Sequence, residues 1–379
     1  MALNNKSNSS SKSRKFFNKR IVRNLIIFSS LSVVAVSVVL LSVFLLKKKA
    51  EIPTDNTDDT FIPTNFIGTW SYYNKNFNDP WVADDWFYTD TDGKTKLWQN
   101  FMLTDGYESW DYYGKVWTEI YNRTGVKLLV FWRPSTTGSF GITSTIALEA
   151  FDQNYKQLVG KYTNLPTEPS GVILYDEPKP LFIVGDNVTW GIVTASQQLR
   201  QKYPKAKLYC NFLYTTMTNV SNCQLMGQSE LDYISSDEYF DYNAGTYSNT
   251  YRTNLYPNLK PTQKVFILPY AAYKEASPGT IVPTTADTYC YSGMPASALN
   301  YKAWYDLDSQ WISGYVIYRL KNLWWDNTTG ANILTNPSST GIGLVDRVSP
   351  GGDYIMPNTV GFWHTVGGTF CDGIYDKTK

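Results

Sequence analysis

Two pairs of adjacent acids stand out because each closes a short apolar run. Asp176-Glu177 follows Gly171-Val172-Ile173-Leu174-Tyr175 and precedes Pro178; Asp237-Glu238 follows Leu231-Asp232-Tyr233-Ile234-Ser235-Ser236 and precedes Tyr239. Runs this short, bounded by Gly, Pro or polar residues, read as buried strands rather than helices. Pro178 disfavours the helical region at Glu177, so the first pair is expected on an extended strand exit. Two strands that bring carboxyls to one rim supply acid/base chemistry. One carboxyl stays protonated to assist a leaving oxygen, and the other is ionised as nucleophile or base, which is what glycoside hydrolysis requires. Successive side chains on a strand face opposite ways, so one member of each pair should face the hollow. Glu177 and Asp237 are the expected pair, with Asp176 and Glu238 as second choices.

Other chemistries find little to work with. His364 is the only histidine, which excludes multi-histidine zinc sites. No Gly-x-Ser-x-Gly elbow accompanies it, so a Ser-His-Asp triad has no nucleophile, and a lone His beside Phe362 and Trp363 reads as structural. No Walker loop or Gly-x-Gly-x-x-Gly follows a strand, so no nucleotide cofactor is expected. No metal site and no other cofactor are expected either. The chain is rich in rings, with 13 Trp, 29 Tyr and 18 Phe. Flat rings with polar edges suit sugar faces. Trp70, Tyr72, Trp132, Tyr239, Tyr270 and Tyr318, beside strand ends, are the candidate glycan platforms.

The elements that would position these groups alternate. Strands are expected at 65–72, 97–103, 126–132, 172–175, 207–214, 233–236, 264–270 and 312–320. Helical spacing of apolar residues marks 143–159, 187–203 and 297–311. Alternating strand and helix over residues 65–325 predicts an α/β fold, a (β/α)8 TIM-type barrel, with an open doubly wound sheet as the alternative. Residues 326–379 read as a Gly- and Pro-rich extension packing on the barrel.

The first 50 residues differ from the rest. They hold ten of the 34 Lys and Arg and none of the 33 acids. The remainder is therefore net acidic, with no footprint for nucleic acid. Leu25–Leu46 is an uncharged apolar run long enough to span a bilayer. The basic tail 1–24 before it and the stalk-like 47–64 after it predict a single-pass type II signal anchor, with the N-terminus cytoplasmic and the barrel at the cell surface or in the secretory lumen. Sequons at Asn122, Asn187, Asn219 and Asn327 fall on the outer side. So do Cys210, Cys223, Cys290 and Cys371, an even number that suggests two disulfides, with Cys210–Cys223 the pairing favoured by proximity.

Asp176-Glu177-Pro178 resembles the fourth-strand motif of the large clan of (β/α)8 glycoside hydrolases, in the branch with Asp-Glu-Pro rather than Asn-Glu-Pro. Residues 232–239 and Ile312-Ser313-Gly314-Tyr315-Val316-Ile317-Tyr318 look like that branch's sixth and eighth strands. The resemblance implies Glu177 as general acid/base. The clan's nucleophile is a glutamate ending the seventh strand, whereas Val265-Phe266-Ile267-Leu268-Pro269-Tyr270 ends without an acid and Glu275 comes later. Three readings follow: a membrane-anchored glycosidase; a catalytically silent protein binding a glycan or partner at the same mouth; and a type II glycosyltransferase. The third would use Asp90-Thr91-Asp92 or Asp306-Leu307-Asp308 to hold a metal.

Overall fold

Strand follows helix through most of the chain, and the computed structural model describes residues 60–70, 84–134, 141–237, 244–269, 287–293, 297–318, 354 and 356–379. Two units divide the chain, Met1–Asp58 and Asp59–Lys379, and all described residues lie in the second. Its strands are β1 (Thr60–Phe61), β2 (Phe66–Trp70), β3 (Phe87–Thr89), β4 (Thr95–Leu97), β5 (Phe101–Leu103), β6 (Lys127–Trp132), β7 (Gly171–Asp176), β8 (Lys207–Leu213), β9 (Tyr233–Asp237), β10 (Lys264–Ile267) and β11 (Ile312–Tyr318). From β5 through β11 and on to β2, each strand pairs with the next in parallel. Among the described strands, only the β3–β4 hairpin is antiparallel.

This α/β sheet curls until its ends meet. β2 and β5 are joined through Asn100, whose N–H donates to Ile67 O at 2.8 Å and whose Oδ1 accepts from Ile67 N at 2.9 Å. Gly68 permits the approach, since a Cβ there would sit 2.7 Å from Phe101 O. Gly314 does the same between β11 and β2: its φ is +151°, and a Cβ would meet Phe66 O at 1.8 Å.

The strand period of two sorts side chains into two cores. Phe66, Trp70, Phe101, Phe131, Tyr209, Tyr233 and Phe266 fill the hollow. Phe266 stacks on Tyr233 at 4.5 Å and on Phe101 at 5.3 Å. Such filling makes the interior a packed core rather than a pore. The alternate residues pack outward against helices α1 (Trp110–Thr124), α2 (Thr145–Lys161), α3 (Ile192–Lys202), α4 (Val220–Gln228), α5 (Ala298–Asp308) and α6 (Pro357–Phe370).

Several expectations are corrected. Trp132 faces outward, fully buried against Trp110 at 5.3 Å and Tyr155 at 5.8 Å, so it cannot be a glycan platform. Parity decides this, because Phe131 beside it takes the inward register. The stalk assigned to 47–64 ends too late, since Thr60 and Phe61 pair with Lys127 and Leu128. The expected strand 97–103 is two elements, with Leu97 in the hairpin and only Phe101–Leu103 in the curled sheet. All four cysteines are buried free thiols rather than two disulfides. Cys210 and Cys223 each sit in the apolar layer between sheet and helices, where burial pushes the Cys223 thiol up to about 11. The cysteines therefore lend no support to an oxidising compartment.

α1 has no counterpart among the expected helices, although Trp110, Tyr113, Trp117 and Ile120 recur at helical spacing on its buried face. The extension 326–379 contains α6, whose start is capped by Asp287: its carboxylate accepts from Asn358 N and Thr359 N at 3.0 and 2.8 Å. His364 on α6 packs among rings, stacked 5.0 Å from Tyr88 and tilted against Trp98 at 5.1 Å. No helix among the described residues is long and apolar enough to cross a membrane. The expected span Leu25–Leu46 lies outside those residues.

Candidate functional site at the strand ends

Polar side chains gather where β2 and β5 through β9 end. At the end of β2, Trp70 faces inward and its Nε1 donates to Asp105 Oδ1 at 2.9 Å. Inward alternation along β6 continues from Leu129 and Phe131 to Arg133. The Arg133 guanidinium lies 5.7 Å from the Trp70 ring centroid, and its Nη2 pairs with Asp176 Oδ2 at 3.1 Å.

Asp176 owes its direction to an irregularity. Ile173 aligns with Tyr209 and Asp176 with Asn211, so β7 carries one residue more than β8 over this stretch. Leu174 and Tyr175 both pack outward, and the Tyr175 hydroxyl is anchored on Trp190 O at 2.7 Å and Ile142 O at 3.0 Å. The phase is thereby reset, and Asp176 turns inward to accept from Asn211 Nδ2 at 3.0 Å. This corrects the parity expectation, which assumed regular strand geometry and gave the inward register to Glu177. Burial pushes the Asp176 carboxyl up, aided by the Glu177 charge and opposed by Arg133 and the Asn211 hydrogen bond.

Glu177 is exposed and leaves the strand with a φ of +47°. Among the described residues it is the only one other than glycine with positive φ. A left-handed conformation costs an ordinary L-residue about 1–2 kcal/mol, and strain of this kind gathers at functional sites. Its N–H still donates to Asn211 O at 2.9 Å, which holds the residue over the end of β8.

Asp237 ends β9 on the inward register of Tyr233 and Ser235. It is 4% exposed and aligned with Leu213. Ser236 beside it points outward to the Tyr251 hydroxyl at 2.6 Å. Between the two acid-bearing strands lies Tyr209, whose hydroxyl is 2.5 Å from Ser235 Oγ. Burial pushes the Tyr209 hydroxyl well up, the Ser235 hydrogen bond opposes this, and the charges of both Asp176 and Asp237 add to it. Acids from two strands thus bear on one buried phenol.

Among the expected site residues, Asp176, Glu177, Asp237 and Trp70 share this rim. Glu238, Tyr72, Tyr239 and Tyr270 lie outside the described residues, and Tyr318 is described only as part of β11. Asn122, Asn187 and Asn219 are exposed, and Asn327 lies outside the described residues. Sequence reasoning missed Arg133, Asn211, Asp105 and Tyr209. Arg133 and Asn211 carry a legible signal, being polar residues that interrupt apolar strands near their carboxyl ends.

Neither Asp-x-Asp is a metal site. Asp90 Oδ1 accepts from Asp92 N and Lys94 N at 3.0 and 2.9 Å within its own turn, and Oδ2 pairs with Lys96 at 2.6 Å. Buried Asp308 is bound by Arg252 at 2.6 Å, Ser248 at 3.0 Å and Trp304 at 3.0 Å. No cluster of His, Cys, Asp and Glu suited to a metal occurs among the described residues.

No family model and no curated protein matches the chain. Similar solved structures include a beta-glucuronidase from an uncultured Clostridium sp., at 10% identity and TM-score 0.47, covering 82% of this chain and 52% of that one. A beta-D-glucuronidase from Dictyoglomus thermophilum aligns at 10% identity and TM-score 0.40, over 74% of this chain and 46% of that one. A mutant xylanase from Cellvibrio japonicus, in complex with xylopentaose, aligns at 16% identity and TM-score 0.42, over 72% and 62%. The chain spans about half the length of the two glucuronidases. All three scores fall below 0.5, so a functional reading has to come from this chain's own residues.

Proposed function

We propose that the chain is a glycoside hydrolase built on a (β/α)8 barrel, acting on a glycan at the rim formed by β7, β8 and β9. The observation that carries this is that β7 and β9, flanking the Tyr209 strand, end in Asp176 and Asp237 on the inward register, with Glu177 next to Asp176 in a strained, exposed conformation. Glu177, exposed and reachable, donates a proton to the leaving glycosidic oxygen, and the C–O bond breaks as it does so. Asp237, enclosed at the end of β9 one strand beyond β8, serves the anomeric carbon as nucleophile or as base for water. Arg133, paired with Asp176, and Trp70 beneath its guanidinium continue the rim beyond β7. The basic tail and Leu25–Leu46 make the protein a single-pass type II membrane protein whose barrel meets its glycan outside the cytoplasm. Protease protection of residues 60–379 in sealed vesicles tests that placement independently.

One observation favours a second reading, a glycan-binding protein without catalysis. β10 runs out into Leu268 and Pro269 with no acid, and Leu268 belongs to the packed inner core. Release of reducing ends from a panel of polysaccharides by the full-length protein separates the two. Hydrolysis lowered by about 10²–10⁴-fold in Glu177→Gln supports the enzyme. Binding without hydrolysis, unchanged in that variant, supports the silent barrel.

A further inference from the structure

Resting on the glycosidase reading, we infer that Asn211 is a positioning residue: oriented by Tyr209 and Ser235, its amide holds Asp176 as a hydrogen-bond acceptor and so leaves the proton-donor role to Glu177.

Proton counting along the chain of contacts gives this direction. Ser235 has one hydroxyl proton and donates it to Asn211 Oδ1 at 2.6 Å. The 2.5 Å contact between Tyr209 and Ser235 must then be made by the tyrosine proton. Tyr209 is fully buried with its ionisation suppressed, so it stays a neutral donor. With its carbonyl oxygen taken by Ser235, the Asn211 amide presents its NH2 to Asp176 Oδ1 at 3.0 Å. Arg133 Nη2 stands at Oδ2, 3.1 Å away. Each Asp176 oxygen therefore meets a donor.

Protonating Asp176 on Oδ1 would require the amide to turn over and the Ser235 and Tyr209 protons to reverse. The groups bearing on Asp176 are Arg133 at the end of β6, Tyr209, Cys210 and Asn211 on β8, and Glu177 beside it, with Asp237 on β9 acting on the shared Tyr209. Glu177 and burial favour a proton on Asp176, while Arg133 and Asn211 oppose it. Among the described residues no such pair of donors meets the Glu177 carboxylate, and its exposure leaves it open to solvent and substrate.

The test uses the full-length protein and the variants Asn211→Leu, Ser235→Ala and Asp176→Asn, with each of the first two also combined with the third. The urea midpoint is followed from pH 4 to 8, together with the pH profile of polysaccharide hydrolysis. In Asn211→Leu, the upper end of the pH range over which Asp176 ionisation lowers stability moves up by about one unit, and the acid limb of activity moves with it. Ser235→Ala, a smaller change that frees the amide to turn, shifts both the same way by less. Neither shift appears in the Asp176→Asn background. A loss of stability equal at every pH, or a shift that persists with Asp176→Asn, overturns the inference. A wild-type protein that hydrolyses nothing yet shows the stability shift overturns the glycosidase reading and supports the positioning of Asp176.

Discussion

Arg133, just past the end of β6, and Asp176, the last residue of β7, stand 3.1 Å apart with both side chains mostly enclosed, and the same guanidinium lies over Trp70. The pair is neither a surface bridge nor a fully dry one, so removing its cation should cost about 2 kcal/mol, between those extremes. The sign follows from Asp176, whose carboxyl is already pushed up by burial. A raised carboxyl gives stability that is complete below the ordinary Asp range and is lost as pH rises through the folded value. Arg133→Met should deepen that loss, so its deficit in urea midpoint is largest near pH 8 and shrinks toward pH 4. An equal deficit at both ends would show that Arg133 matters through packing alone.

Glu177 pairs a strained backbone with the proposed chemistry. Glu177→Gln should lower hydrolysis by 10²–10⁴-fold, the usual worth of a general acid, with binding kept. Glu177→Gly should abolish hydrolysis yet raise stability by up to about 1 kcal/mol, because glycine accepts the φ of +47° without strain. Glu177→Val, β-branched, should lose at least about 1 kcal/mol. Thermal melts of the three variants check the ordering.

At the far side of the fold, Arg123 donates to Asp376 through Nε at 3.1 Å and Nη2 at 2.7 Å. Burial pushes the Asp376 carboxyl up, but the hydrogen bonds from Arg123 and Thr378 outweigh it and hold the carboxyl below its ordinary range. A depressed carboxyl stabilises above its unfolded value and loses that contribution as pH falls through the folded one. Asp376→Asn should therefore destabilise at pH 7 and approach wild type at pH 2–3, opposite in trend to Arg133→Met. Urea midpoints across that range decide it.

Burial and the lack of disulfides predict the behaviour of the cysteines. Denatured without reductant, the chain should expose four titratable thiols. Folded at pH 8 it should expose almost none quickly, since burial pushes Cys290 up to about 12 and Cys210 and Cys371 well above the ordinary thiol range. Finding two thiols or none in the denatured chain would restore the disulfides.

The curled sheet was legible because its strands are short, apolar and bounded by turn residues, and β7, β8 and β9 fall where their apolar runs do. What misled was phase. The reading of Asp176-Glu177 took side chains to alternate to the end of the strand, but one added residue before Asp176 reverses them, and no residue type announces it. Trp132 misled for the opposite reason: strict alternation applies there, and an aromatic at a strand end was judged by its chemistry rather than its register. Asn211 and Arg133 escaped because attention went to acids and rings, while the groups that tie those acids together are a cation and an amide. α1 was missed because Gly114 and several polar residues thin its apolar stripe.

Asn100 has a consequence in time. Besides uniting β2 with β5, its Nδ2 donates to Asn65 O at 2.8 Å and to Phe370 O at 3.2 Å. An asparagine synthesised early thus waits for a carbonyl made some 270 positions later before its last bond can form. A nascent chain halted before Phe370 would leave that amide short of a partner. The curled sheet is latched only when the ribosome has delivered the helix that carries the catch.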